Sequence, residues 1–458
     1  MTDAEDLFVP DGWELTRVGA VVENVQPGFA SGRHNSNGEG VPHLRPMNVS
    51  TAGKIDRKVV KYVEPTLAER PERRLRRGDV LFNNTNSLDL VGKTAYFDDD
   101  DSPAFSNHMT RLRVNPERVL PEYLARYLHA CWVRGDFTQL ANSHVSQASV
   151  GRKVLSALPL PLPPISQQQQ IVELLDQVDR SREAASASLS QSVSALIDFR
   201  RTVLTAACLG RLTEDWREKR PEAEAVGIDK LNSGSRGRRR NTEPVIDFEM
   251  PEVPDSYVMA PISAIASTIE YGTSRRADGD ENDVPILRMG NIQDGSLNLS
   301  DLKYITASSE IERLLLVDGD LLFNRTNSPE LVGKSAVWRG STRATFASYL
   351  IRVRFHKAVA VPEFVNYWIN SAWGRTWARQ VKTDGVSQSN INGTKLGAMP
   401  VPLPPLDEQR EIVRRVEGYL KESEEILAKI NATSSLLERT DQAVLSRAFR
   451  GELMEAAG

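Results

Sequence analysis

The sequence predicts an α+β chain built twice: two strand-rich domains, each followed by a long helix, the helices paired antiparallel as a coiled coil about an approximate two-fold. Three observations carry this. Residues 78–97, GDVLFNNTNSLDLVGKTAYF, return at 319–338 as GDLLFNRTNSPELVGKSAVW, with thirteen of twenty positions identical. The same offset of 241 residues pairs Arg111-Leu112-Arg113 with Arg352-Val353-Arg354, LPLPLPP at 158–164 with MPVPLPP at 399–405, and Val203-Leu204 with Val444-Leu445. Each proline strip then gives way to a long segment whose apolar residues recur by threes and fours, the pattern of an amphipathic helix. A solenoid repeats every few tens of residues, so one long offset means duplication of a whole domain-plus-helix unit.

The first domain spans residues 1–165. Its apolar runs at Trp13–Val25, Val41–Leu44, Val59–Val63, Val80–Phe82, Thr94–Phe97 and Leu112–Val114 are bounded by Gly, Asn, Asp or Pro and read as strands. A helix is predicted at Pro121–Val133, opened by Pro and carrying Tyr123, Leu124, Tyr127, Leu128 and Ala130 on one face. The strip Pro159–Pro164 can continue neither a helix nor a central strand. The first spacer, 166–217, opens on a Ser166/Gln169 capping box and its helix stops at Gly210. About 43 helical residues make a rod of roughly 65 Å. Residues 218–250, with SGSRGRRR at 233–240, form a polar linker. The second domain is 251–406 and the second spacer helix 407–454. An apolar stripe of this length needs a partner, and the natural one is the other helix. Ile171, Leu174, Leu189 and Leu196 against Ile412, Val416, Leu427 and Leu437 are the expected seam.

Composition is that of a soluble globular protein, 40% hydrophobic and 26% charged, and 458 residues suit two or three domains. Two cysteines exclude a disulfide framework and point to a reducing cytoplasm. The opening MTDAEDLFVPDGWEL is acidic without an apolar core, so neither a signal peptide nor an anchor is expected. A net charge of -4 argues against a nucleic-acid partner. The 43 Arg among 57 basic residues argue the other way, since the guanidinium fork suits phosphate and guanine edges; genomic base composition explains an Arg excess equally well.

Catalytic motifs are missing. Gly92-Lys93-Thr94 and Gly333-Lys334-Ser335 end like a phosphate-binding loop, but the Gly required five residues before the Gly-Lys pair is Ser87 or Ser328. No Gly-rich cofactor loop follows a strand. The six His show neither HxxxH nor HExxH spacing and the cysteines are not paired, so no metal is expected. Asp98–Asp101 faces Arg339-Gly340-Ser341-Thr342 in the second half and reads as a solvated turn. The chain alone is expected to hold no cofactor and catalyse nothing.

The duplicated loops instead carry short amide and hydroxyl side chains followed by a lysine: Asn83-Asn84-Thr85-Asn86-Ser87 with Lys93, and Asn324-Arg325-Thr326-Asn327-Ser328 with Lys334. Asn and Gln pair two-point with adenine, Arg with guanine, and Ser or Thr with phosphate or base. A self-bonded turn is the simpler reading for the identical pairs Asn83/Asn324 and Thr85/Thr326. Two sites reading different sequences should differ, which favours Asn84 against Arg325, His108 against Tyr349, and His144 against Gly385 as base readers. Arg45 and Arg288, in VPHLRPMN and VPILRMGN, suit a phosphate contact or a salt bridge equally. Gln147 and Gln388, each after Ser, suit a turn cap or a DNA contact.

With these motifs in place, the whole chain resembles the specificity subunit of type I restriction–modification systems. The resemblance rests on two GDxLFNxTNSxxLVGK domains, each closed by a PLPPxxxQxxI junction into a long helix, and on LGRLTEDWRE at 209–218 and FRGEL at 449–453 after the helices. It implies two target-recognition domains reading the two parts of a split double-stranded DNA site. It also implies spacer helices that dock two modification (methyltransferase) subunits and, through them, two restriction (translocase–nuclease) subunits. S-adenosylmethionine, ATP and Mg2+ would then belong to those partners. The alternatives are a coiled-coil adaptor binding proteins only, and the recognition subunit of a related methylation-only phage-defence assembly.

Overall fold

The computed structural model describes residues 9–143, 147–223, 226–227, 248–386 and 388–453. His144, Val145, Ser146, Ser387 and the run 233–240 lie outside the described residues. The chain divides into two compact units, Met1–Ser190 with Asn431–Gly458, and Gln191–Ile430. Each unit therefore holds one strand-rich domain and a part of both long helices.

In the first unit, the apolar run Val80–Phe82 is buried throughout because both faces of its sheet are covered. Val80 and Phe82 join Leu112, Tyr123 and Leu128 on one side, and Leu81 joins Phe97, Phe105 and Met109 on the other. A continuous apolar run is what two covered faces demand. The sheet is antiparallel, in the order Val22–Pro27, Thr110–Val114, Val80–Phe82, Thr94–Tyr96. A second, mixed sheet sets Val41–Leu44 between Lys61–Val63 and Ala104–Phe105. Helix Pro121–Val133 forms where the spacing placed it and buries Tyr123, Leu124, Tyr127 and Leu128. The proline strip becomes the strand Pro159–Leu162, paired among the described residues with Glu14–Arg17 alone. A two-stranded ribbon tolerates prolines that a central strand would not. The Pro161 and Pro159 carbonyls accept the Tyr123 and Tyr127 hydroxyls at 2.7 and 2.6 Å.

The second unit repeats this plan. Ala266–Tyr271, Leu350–Phe355, Leu321–Asn324 and Ser335–Val337 form its four-stranded sheet, and Val284–Leu287 sits between Lys303–Ile305 and Thr345–Phe346. Val258–Pro261 pairs with Pro400–Leu403. The Arg-x-Arg repeat has a structural use in both units. Arg113 and Arg354 each bind the buried carboxylate of Asp79 or Asp320 at 2.7 Å, and the neighbouring Arg111 and Arg352 are themselves buried.

The long helices are Ile165–Cys208 and Leu406–Ala448. Within each unit their parts run antiparallel. In the first, Ile171 and Leu175 pack with Ala448 and Phe449, and Arg182 pairs with Asp441 at 2.9 Å. In the second, Val203 and Ala207 pack with Ile412 and Val416, and Arg200 donates to Ser423 at 2.8 Å. The expected seam needs one correction: Leu175 is buried and Leu174 only half-buried. Leu189, Leu196, Leu427 and Leu437 are also half-buried. Two helices side by side close only a narrow stripe, and full burial occurs where a domain roofs the pair.

The junction motif PLPPxxxQxxI acquires a physical meaning. Gln168 is fully buried, accepts from the Leu120 amide at 2.8 Å, and donates to the Arg118 and Pro163 carbonyls at 3.0 and 2.8 Å. Gln409 does the same with Val361, Val359 and Pro404 at 2.8, 2.9 and 3.0 Å. The glutamine nails each helix to the domain that precedes it.

Candidate nucleic-acid interface

Each duplicated loop leaves the central strand of its sheet at a buried asparagine. Asn83 and Asn324 are fully buried, and their amides donate to the Lys93 and Lys334 carbonyls at 2.9 and 2.8 Å. The Asn83 side chain also donates to the Pro46 carbonyl at 3.0 Å. Asn83 is thereby tied to a distant turn rather than to its own loop, whereas the equally buried Asn324 side chain has no hydrogen-bond partner among the described residues. Gly92 and Gly333, which mimic a phosphate loop in sequence, have φ of +93° and +85°. A Cβ on Gly92 would lie 2.3 Å from the Phe137 ring, so backbone freedom and close packing account for this glycine.

Past the asparagine, Thr85–Asn86 joins a small sheet with Ala148–Ser149 and Asn142–Ser143. Thr326–Asn327, Ser389–Asn390 and Thr383–Asp384 form its equivalent. This brings the loop together with the segment carrying Gln147 or Gln388, two residues far apart in sequence from it. Both glutamines are exposed, and the Gln388 carbonyl accepts the Gly385 amide at 2.8 Å, closing a hairpin whose neighbouring Val386 is fully exposed. His108 and Tyr349 adjoin the same loop: their carbonyls accept from the Thr85 and Arg325 amides at 3.3 and 3.0 Å. The side-chain oxygens of Asn86 and Asn327 accept from the adjacent Ser87 and Ser328 amides at 2.8 Å, a local bond shared by both loops. The structure thus gathers Asn84, Asn86, Ser87, His108 and Gln147 in one unit, and Arg325, Asn327, Ser328, Tyr349 and Gln388 in the other.

The expected cations behave differently from one another. Lys93 departs from the expectation of a free charge: it is buried and its ammonium donates to the Val49 carbonyl. Burial also lowers its pKa from the usual lysine value. Lys334 lines a cleft of about 780 Å³ with Asn366, Asn370 and Glu417. Arg288 lies 3.4 Å from Asp301, in an exposed ion pair of the kind expected as its structural alternative. Arg45 and Arg288 are presented by matching turns, in which the buried Asn48 or Asn291 accepts the arginine's own amide at 2.9 or 2.8 Å.

Sequence reasoning passed over Tyr271. It ends a strand of the four-stranded sheet opposite Ile351, is 43% exposed, and lies with its ring 4.9 Å from the Arg325 guanidinium. The equivalent residue by register is Pro27, opposite Thr110. That mismatch between halves was the available signal.

The family model described as type I restriction modification DNA specificity domain matches residues 10–192 and 371–433, more than half of the chain. The chain belongs to this family. It is a specificity subunit with target-recognition domains. The specificity subunit of the type I restriction enzyme EcoKI from Escherichia coli K12 is 26% identical over 454 residues, covering 97% of this chain and 90% of its own length. That of StySPI from Salmonella potsdam is 25% identical with the same coverage. Among solved structures, the HsdS subunit from Thermoanaerobacter tengcongensis shares the fold with a TM-score of 0.54 at 18% identity, covering 99% of this chain and all of that one. A chain from a type I restriction–modification assembly study aligns with a TM-score of 0.66 at 18% identity, covering 97% of this chain and 99% of that one. For a specificity subunit, loop faces of matched architecture and unmatched chemistry are the natural place to look for sequence reading. Among the described residues, no helix is long and apolar enough to cross a membrane.

Proposed function

We propose that this specificity subunit reads a bipartite, non-palindromic site on double-stranded DNA, one block per domain (1–165 and 251–406), and holds the blocks at a fixed spacing with its paired helices. One observation supports this above others. The two units share one scaffold down to the buried asparagine, yet place Asn84 and His108 where the other places Arg325 and Tyr349. Different side chains on one frame suit two different base sequences. Asn86, Ser87, Gln147, Asn327, Ser328 and Gln388 would share in binding, with Arg45 and Arg288 nearer the phosphates. The helices would dock two modification subunits and, through them, two restriction subunits. S-adenosylmethionine, ATP and Mg2+ would serve those partners, in the cytoplasm, and this chain would supply no catalytic group.

Methylome sequencing tests the reading. Replacing residues 251–406 by another member's domain should change one block of the methylated motif and leave the other. Lengthening a spacer helix by whole turns should change only the gap between blocks. An uninterrupted motif, or an exchange that alters both blocks, would sink the model.

A further inference from the structure

We infer that Arg325 recognises a guanine in the major groove of the block read by the second domain, held ready by Tyr271 and the Ser348 carbonyl. The inference rests on the DNA reading proposed above and adds the base and the residue.

The geometry begins with a tether common to both halves. Arg325 Nη1 donates to the Ser348 carbonyl at 3.3 Å, and Asn84 Nδ2 donates to the Asn107 carbonyl at the same 3.3 Å. Position 348 is 107 shifted by the repeat offset, so one carbonyl holds whatever side chain occupies this place. Only the head group differs. A phosphate clamp would have no reason to differ, because phosphates are alike in every sequence; a base reader must.

The head group is also unusually well prepared. The guanidinium lies over the Tyr271 ring, where the π face attracts it and fixes its plane. The Tyr271 hydroxyl accepts the Gly393 amide at 2.7 Å, which holds the ring in turn. Among the described residues no carboxylate pairs with Arg325, and its Nε is buried without a partner. Ser348 engages Nη1 alone, leaving the outer hydrogens of Nη1 and Nη2 for a two-point contact. Guanine presents the matching acceptors, O6 and N7, in the major groove. Tyr349, 45% exposed, adjoins the site. Asn84 is not the mirror image. Its amide also reaches Thr85 Oγ1 at 3.4 Å and its Oδ1 is enclosed, so the shorter side chain is drawn back into its loop.

The test uses the full chain assembled with its modification subunits, on the site defined by methylome sequencing. Each guanine of the second block, on either strand, is replaced singly by 7-deazaguanine, which lacks the N7 acceptor. Wild-type binding should fall roughly ten- to a hundred-fold at one position. The Arg325→Gln assembly should already be weakened by a similar factor and show no further loss there, while Arg325→Lys keeps part of the preference. A silent 7-deazaguanine series in the wild type overturns the inference without any variant having to fold. So does a loss that persists in Arg325→Gln, or a uniform weakening across unrelated sequences. The two readings fail separately. A motif indifferent to exchange of residues 251–406 removes the domain model. A motif that follows the exchange while the 7-deazaguanine series is silent removes only Arg325.

Discussion

At residues 83 and 324 the two halves carry the same buried asparagine; one step along the chain they carry Asn84 and Arg325. The same contrast recurs elsewhere. Asp79 and Asp320, Asn48 and Asn291, and Gln168 and Gln409 are identical, buried and hydrogen-bonded to equivalent partners, whereas His108 and Tyr349 or Pro27 and Tyr271 differ on one frame. The three identical pairs are groups whose loss would leave an unpaired polar atom in the interior. Other buried polar positions break the pattern, among them His43 against Ile286, His129 against Asn370, Asn366 against Ala125 and Ser389 against Ala148.

The strongest challenge to the comparison comes from the buried carboxylates. Asp79→Ala and Asp320→Ala each strand an arginine pair inside a sheet, a change that costs about 3–5 kcal/mol. If the halves are one scaffold used twice, calorimetry on the full chain should show matching losses, each on the transition of its own unit. Grossly unequal losses would mean the two cores are not equivalent.

The buried histidines sharpen the contrast instead. His43 is pushed down to about 4 by burial, by His34 at 3.2 Å and by Arg45; His129 is pushed down to about 4 by burial and by Arg126. A depressed folded pKa contributes stability above the free value near 6.5 and loses it as pH falls from there to about 4. The first unit should lose on the order of 3 kcal/mol per histidine across that window. The second has neither histidine. Its Glu363 carboxyl, raised by burial, gains stability as pH falls. Substituting the second unit's residues, His43→Ile and His129→Asn, should therefore flatten the acid response of the first transition between pH 7 and 5. A response that survives both changes would place its origin elsewhere.

A third prediction tests the junction. Gln168→Leu and Gln409→Leu leave one amide and two carbonyls without partners, costing about 1–3 kcal/mol each. The two variants should lose equally in chemical denaturation, and a neutral result at either site would remove the lock from the account.

Much of this fold is legible in the sequence where a local rule decides. Helix Pro121–Val133 and the strands Val41–Leu44 and Val80–Phe82 lie where spacing and turn residues put them. The long helices start at Ile165 and Leu406, so Ser166 lies inside the first helix rather than capping it as the Ser166/Gln169 spacing suggested. What local rules miss is set by distant residues. Lys93 is buried because Val49, 44 positions earlier, offers a carbonyl, and Arg111 and Arg113 are structural because Asp79 meets them across a sheet. Leu175 rather than Leu174 turns inward because the domain, and not only the other helix, roofs that turn. The loop face was partly visible as a mismatch between repeats. Tyr271 escaped because the strand that carries it is displaced from the common offset, and only the register with Ile351 aligns it with Pro27.

The junction glutamine carries a consequence for what the domain beside it must supply. Gln409 grips the second domain only through main-chain groups: the Val359 and Pro404 carbonyls and the Val361 amide. Main-chain groups are the same whatever side chains surround them. This lock therefore does not depend on which side chains the surrounding domain carries. One residue type is barred. Proline at 361, or at 120 in the first half, has no N–H to offer the glutamine oxygen, so each position must carry another residue for the lock to close.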